Sequence, residues 1–286
     1  MGPVRYIALL LVLVACIPQS ARSRPGDYKW DSAPSSLFAQ SSTQILDREF
    51  PGHDISYLLL DARTGQLLAS RWEKSETPIP LGSLTKPFAA LAYGRQHDFR
   101  FPAYTCRGSQ TGCWRPQGHG AIDLTSAIAN SCNSYFRMLT ADLTAADMWS
   151  TADGFNIESP SREVTGAELA GLGPRWRISP LRMARAYVEL AHQRRVSGVE
   201  EILDGMAQSA RYGTGAEVDR ALRIPDALAK TGTAMCTHSP RAPGDGFTIA
   251  IVPTDDPKIL LMVRVHGVPG AEAARTAGQM LHRIGE

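Results

Sequence analysis

Apolar and polar positions follow two different periods along this chain, and the changes of period divide it. "SSLFAQSSTQILDREF" (Ser35 to Phe50) has helical spacing behind a Ser N-cap. "ISYLLLDARTGQLLASRW" (Ile55 to Trp72) reads as two strands around a turn at Thr64-Gly65. After Ser83 the spacing becomes helical, with "PFAALAYG" as a core-facing stripe ended by Gly94. Pro87 fits only a first helical turn, where its missing N–H costs nothing, so Ser83 sits at or near a helix N-terminus. From about 99 to 220 the pattern is helices and loops. "LTSAIANSCNSYFRMLTADL", "SPLRMARAYVELAHQ" and "GVEEILDGMAQSARYGTG" are its clearest helical stretches. After Ala221 strands return in "ALAKTGTAM", "GFTIAIVP" and "KILLMVRVHG", with "PTDDP" as a turn. "GAEAARTAGQMLHRIGE" closes the chain as an amphipathic helix. The expected fold class is α+β: a mainly antiparallel sheet built from both ends of the chain, covered by helices, with a helical lobe inserted and a cleft between them.

The first residues break the pattern. "MGPVRY" carries one positive charge and "IALLLVLVA" is too short to span a bilayer, so the segment reads as an export signal. It ends in Leu13-Val14-Ala15-Cys16, which resembles a bacterial lipobox with Cys16 as the lipidated residue. An ordinary secretory signal that discards Cys16 is the alternative. The expected organisation is a signal over 1–16, a tether over 17–34 and a catalytic domain over 35–286, lipid-anchored on the periplasmic side of the envelope. Net charge is +2 with scattered arginines, which gives no case for nucleic acid. In an oxidising compartment, Cys106 and Cys113 in "CRGSQTGC" are close enough for a small disulfide, two free thiols being the alternative. No Cys/His spacing matches a zinc pattern, so neither metal nor cofactor is expected. Cys132 reads as a small buried filler, Cys236 as solitary and His119 as a loop or structural residue.

Three short motifs carry candidate chemistry: Ser83-Leu84-Thr85-Lys86, Ser131-Cys132-Asn133 and Lys230-Thr231-Gly232-Thr233. Each alone is weak. In this order, at a helix start, in a helical-lobe loop and on a strand, they form a strong signal. A serine hydroxyl needs a nearby base at neutral pH, and Lys86 lies one helical turn from Ser83 on the same face. It can take the proton only when neutral, which requires desolvation or a neighbouring positive charge.

The chain resembles the penicillin-binding, or D,D-transpeptidase, domain family, which shares its fold with serine β-lactamases. Beyond the motifs, "LDARTGQLLA", "GHGAIDLTSAIANSCNSYF", "GLGPRWRISPLRMARAYVELA", "PTDDPKILLMVRV" and "GAEAARTAGQML" resemble family segments from about Ile55 to the end. The resemblance implies an acyl-enzyme on Ser83, formed with peptidoglycan stem peptides and blocked by β-lactams, and leaves room for a cell-wall synthesis partner. It implies that Lys230 is the charge beside Lys86. Ser131 would bridge the two lysines, and Asn133 would donate to the substrate amide or hold Lys86. Lys230 and Thr231 would bind the terminal carboxylate, and Gly232 would let substrate approach the strand. The N–H groups of Ser83 and Thr233 would form the oxyanion hole.

Two departures stand out. Thr85 occupies a position that is often aromatic, and "CTHSPRAPGDGFTIAIV" keeps Phe247 but lacks the family's tryptophan. Two other functions compete: a class D-type β-lactamase, disfavoured by Asn133, and a non-catalytic sensor of wall fragments or β-lactams. Glu163 and Glu168 match a class A deacylating glutamate by position only. Asp61 and Asp123 read as turn or cap residues and Asp255-Asp256 as a solvated turn; Trp114 and Trp176 either line the cleft or pack, packing being the favoured reading.

Overall fold

The two alternating runs after Ile55 form a hairpin because Asp61 closes its turn. Its carboxylate accepts from the N–H groups of Arg63 (2.7 Å) and Thr64 (3.2 Å), and Gly65 takes a left-handed φ of +70°. The structure is a computed structural model that describes Gly2 and residues 36–237 and 242–285. Apart from Gly2, the candidate signal, Cys16 and the tether lie outside these residues. Among the described residues no helix is long and apolar enough to cross a membrane.

In chain order the elements are α1 (Ser36–Glu49), β1 (Ile55–Asp61), β2 (Leu67–Arg71), α2 (Lys86–Gln96), β3 (Tyr104–Cys106), β4 (Gly120–Ile122), α3 (Leu124–Ala129), α4 (Asn133–Leu139), α5 (Ala145–Gly154), α6 (Gly166–Leu169), α7 (Pro180–His192), α8 (Val199–Arg211), α9 (Ala216–Ala221), β5 (Leu228–Ala234), β6 (Asp245–Val252), β7 (Ile259–His266) and α10 (Gly270–Ile284). The main sheet has the order β2-β1-β7-β6-β5 and every pairing is antiparallel. Leu58 of β1 faces Met262 of β7, so the first hairpin is joined to the last strand.

Side chains alternate between two cores, as the pleat requires. Tyr57, Leu59, Ala250 and Val263 pack with Leu46 of α1 and Ala277 and Met280 of α10. Leu58, Leu60, Ile249 and Met262 face the helical lobe, where Phe88 and Tyr187 are fully buried. Burying a large apolar side chain stabilises by about 1.5–3 kcal/mol; the first layer holds α1 and α10 against the sheet and the second holds the lobe.

Two features depart from the sequence pattern. β3 and β4 pair as a ribbon of three residues each, too short to show an alternation. The single helix expected over "LTSAIANSCNSYFRML" is two. α3 starts at an Asp123 cap, which accepts from Ser126 N–H at 2.8 Å, and the chain breaks at Asn130–Cys132. Ser131 sits in that break with φ +47°, a conformation that costs a non-glycine residue about 1–3 kcal/mol.

Candidate active site

Ser83 lies on a 3-10 turn, Gly82–Thr85, which runs directly into α2, with Pro87 in the first turn as expected. The turn is clamped by backbone on two sides. A Cβ on Gly82 (φ +57°) would fall 2.2 Å from the carbonyl oxygen of Thr233 on β5. One on Gly171 (φ +73°) would fall 2.0 Å from the oxygen of Gly82. Gly232 faces the same turn, 2.6 Å from Leu81 O by the same construction. The glycine of the third motif thus clears the backbone of the Ser83 turn as well as lining the cleft. From the lobe, Tyr187 Oη donates to Leu84 O at 2.8 Å. The first N–H groups of such a turn have no acceptor within it, so the Ser83 N–H is available to an anion.

The break between α3 and α4 brings the second motif to the lysine one turn after Ser83. Lys86 Nζ donates to Asn133 Oδ1 (2.7 Å), Ser131 O (2.8 Å) and Ser131 Oγ (3.4 Å). Lys230 Nζ donates to the same Ser131 Oγ (2.9 Å) and to Thr231 O (2.7 Å). Both lysines are fully buried. Burial pushes the Lys86 ammonium down to about 7. Burial, and next the Lys86 charge, hold Lys230 well below the usual lysine range. One hydroxyl therefore touches two amines, and one of those amines is poised between its charged and neutral forms near neutral pH.

Over this floor opens a cleft of about 430 Å³, lined by Ser83, Ser131 and Asn133 on one side and Thr231, Gly232 and Thr233 on the other. Neither lysine is among its lining residues. Thr231 Oγ1 donates to Thr214 Oγ1 at 2.7 Å, and the Gly270 N–H donates to Thr233 Oγ1 at 2.9 Å. Thr214 and the N-terminus of α10, Pro269–Ala271, line the cleft too, and none of the three motifs includes them. Of the two readings for Trp114, the structure has the cleft-lining one rather than the favoured packing one: half-exposed, it lines the cleft, with its Nε1 donating to Asn130 O at 3.1 Å. Trp176 packs as expected, 3% exposed. Among the described residues no carboxylate lines the cleft. Glu168 caps α6 through Thr165 and accepts from Arg175 Nε at 2.8 Å.

The penicillin binding protein transpeptidase domain model matches residues 55–286. The chain belongs to the penicillin-binding protein transpeptidase domain family. The fold is similar to that of Pseudomonas aeruginosa PBP2 in complex with WCK 5153 (TM-score 0.69, 17% identity, 87% of this chain and 73% of that one). It is also similar to the apo transpeptidase domain of Burkholderia pseudomallei penicillin-binding protein 3 (TM-score 0.64, 16% identity, 87% of this chain and 91% of that one). A third similar structure is PBP2 of Helicobacter pylori in its complex with MreC (TM-score 0.69, 16% identity, 84% of this chain and 62% of that one). No curated protein matches the chain.

The cysteines of this transpeptidase domain differ from expectation. Cys106 and Cys113 are free thiols, not a disulfide, and the fold brings a third cysteine and an imidazole beside them. The ligand atoms of Cys106, Cys113, His119 and Cys132 all lie within 4.8 Å of one another. Cys236 is not solitary either: its thiol lies 3.1 Å from Asp245 Oδ1 and 3.2 Å from His266 Nδ1, itself 2.6 Å from that carboxylate. Those separations are hydrogen-bond lengths, and the trio ties the ends of β6 and β7 to the segment after β5.

Proposed function

We propose that this transpeptidase-family domain is a serine D,D-peptidase of the cell envelope. Ser83 forms an acyl-enzyme with peptidoglycan stem peptides ending in D-Ala-D-Ala, then passes the acyl group to an amine or to water. The observation that carries the proposal is the sharing of Ser131 Oγ by Lys86 and Lys230 directly behind the cleft that Ser83 opens on.

The steps follow from that arrangement. Neutral Lys86 Nζ accepts the Ser83 proton as Ser83 Oγ bonds to the penultimate D-Ala carbonyl carbon. The oxyanion that forms faces the N–H groups of Ser83 and Thr233. Ser131 passes a proton from the lysine pair to the leaving D-Ala amine, the C–N bond breaks, and the ester remains on Ser83. The substrate carboxylate is met by the hydroxyls that line the cleft, Thr231 and Thr233, with the Lys230 charge behind them. An arriving carboxylate favours charged Lys230, and charged Lys230 in turn favours neutral Lys86. Binding of the right substrate thus prepares the base.

β-Lactams would acylate Ser83 in the same way and persist, because no carboxylate lines the cleft, among the described residues, to activate a deacylating water. Asn133 holding Lys86 at 2.7 Å disfavours the class D alternative, which depends on a modified lysine. Export, anchoring through Cys16 and a cell-wall synthesis partner belong to this proposal; the similar Helicobacter pylori PBP2 is itself found in a complex with MreC. A peptide ending in D-Ala-D-Ala should release D-Ala, while nitrocefin should be consumed to about one equivalent and stop. Continuous nitrocefin turnover would make the protein a β-lactamase. The absence of both a covalent adduct and D-Ala release would leave a binding protein.

A further inference from the structure

The geometry points to one zinc ion bound by Cys106, Cys113, His119 and Cys132, an ion that holds Ser131 and Asn133 in place. The part that concerns Ser131 and Asn133 rests on the catalytic reading above; the metal site does not.

The four residues come from separate places: the end of β3, the loop after it, the approach to β4, and the residue that caps α4. Cys106 Sγ and Cys113 Sγ each lie 3.5 Å from His119 Nδ1, and Cys113 Sγ lies 3.8 Å from Cys132 Sγ. Tetrahedral zinc has Zn–S near 2.3 Å and Zn–N near 2.0–2.1 Å, so its ligands should be about 3.5 Å apart for sulfur to nitrogen and about 3.8 Å for sulfur to sulfur. The observed edges match both. The Cys113–Cys132 separation is far beyond the S–S bond of about 2.05 Å in a disulfide, and Cys106 is likewise a free thiol. Three thiolates and an imidazole leave no open position, so the ion would be structural rather than catalytic.

The surroundings suit such an ion. All three cysteines are buried. Among the described residues His119 Nε2 is buried without a hydrogen-bond partner, so the thiols are the polar groups that orient the ring through Nδ1. Backbone N–H groups of Gly108 and His119 point at the Cys106 sulfur, and that of Tyr135 lies 3.5 Å from Cys132 Sγ, as N–H groups do around metal thiolates. The loop has the tight shape a chelate needs. A Cβ on Gly108 would fall 1.9 Å from Pro116 O, and one on Gly118 2.2 Å from Cys106 O. Binding displaces a proton from each thiol to solvent and forms three Zn–S bonds and one Zn–N bond, with no change of oxidation state.

Cys132 links this site to the catalytic floor. It lies between Ser131, held at φ +47°, and Asn133, the acceptor of Lys86. A metal bond on Cys132 would anchor the strained residue between the two lysines from behind.

The test uses the purified full chain. Elemental analysis should find about one zinc per chain, and Cys113→Ser and Cys132→Ser should each lower the retained zinc at least about tenfold. Chelator-stripped wild type loaded with Co²⁺ should show the absorption of a tetrahedral cobalt thiolate. Absence of bound zinc together with absence of that spectrum overturns the site. So does an intact mass two hydrogens low, which marks a disulfide. For the second half, stripped wild type should be acylated by labelled penicillin at least about tenfold more slowly than the zinc-loaded protein and recover when zinc is added. An unchanged rate overturns the positioning role even if zinc binds. If zinc-loaded protein forms no adduct, the catalytic reading fails, while metal content and spectrum still decide the site.

Discussion

In a Lys86→Ala variant, acylation of Ser83 by labelled penicillin falls by about 10²–10⁴-fold, the usual range for a lost general base. The loss lies in the acylation step and persists at saturating penicillin, because Lys86 is buried behind Ser131 and does not line the cleft. Removing the amine also leaves Asn133 Oδ1 and Ser131 O without their donor, each at about 1–3 kcal/mol. Lys86→Arg separates the two effects. It keeps a donor for those acceptors but stays charged at every working pH, so its rate stays low. The wild-type pH profile gives the sign independently. Burial brings the Lys86 conjugate acid down to about 7, and only the neutral amine accepts a proton. Acylation should fall about tenfold per pH unit below 7 and level off above it. A stopped-flow profile that is flat from pH 5 to 9, or that falls as pH rises through 7, would remove Lys86 as the base.

The second large effect is expected from a single methyl group. Gly82→Ala places a Cβ 2.2 Å from the Thr233 carbonyl at a backbone φ of +57°. The conformation alone costs about 1–3 kcal/mol. The clash can be relieved only by moving the nucleophile's turn away from β5, which separates the two oxyanion donors. Acylation should drop by about 10²–10³-fold, as when one oxyanion donor is lost. The melting temperature should fall by several degrees, at about 2–4 °C per kcal/mol for a domain of this size. Gly65→Ala is the control. It has a similar φ of +70°, but its Cβ would meet nothing closer than Arg185 Cγ at 3.8 Å, far from the cleft. It should lower the melting temperature and leave acylation unchanged. Equal acylation rates in the two variants would show that close packing against β5 does not position Ser83.

Much of this architecture is legible in the sequence because one face of each long element is buried. The hairpin after Ile55, the three late strands and α10 all show their period. The break at Ser131 is legible only in part: the second motif reads as a loop of the lobe, but the spacing around it does not show the helix ending. "LTSAIANSCNSYFRML" is helical by spacing throughout, and what interrupts it is tertiary: Lys86 and Lys230 claim Ser131 from 45 and 99 positions away along the chain, and Lys86 also holds Asn133. β3 and β4 escape notice because three residues cannot display an alternation. The cysteine cluster escapes for a different reason. Cys106 and Cys113 are close in sequence and invite a disulfide, while Cys132 belongs to another motif and His119 lies on a loop. Only the β3–β4 ribbon, folding back over α4, brings them together. Gly232 illustrates partial legibility: the need for a glycine is evident, but the backbone it clears includes the serine's own turn.

The proposed chemistry rests on one serine, Ser83, which lines a cleft shared by three motifs. Peptide mapping by mass spectrometry after brief exposure of the protein to penicillin tests this most directly. The account predicts one penicilloyl group per chain, carried on the peptide that contains Ser83. An unmodified protein, or an adduct on any other residue, would contradict it.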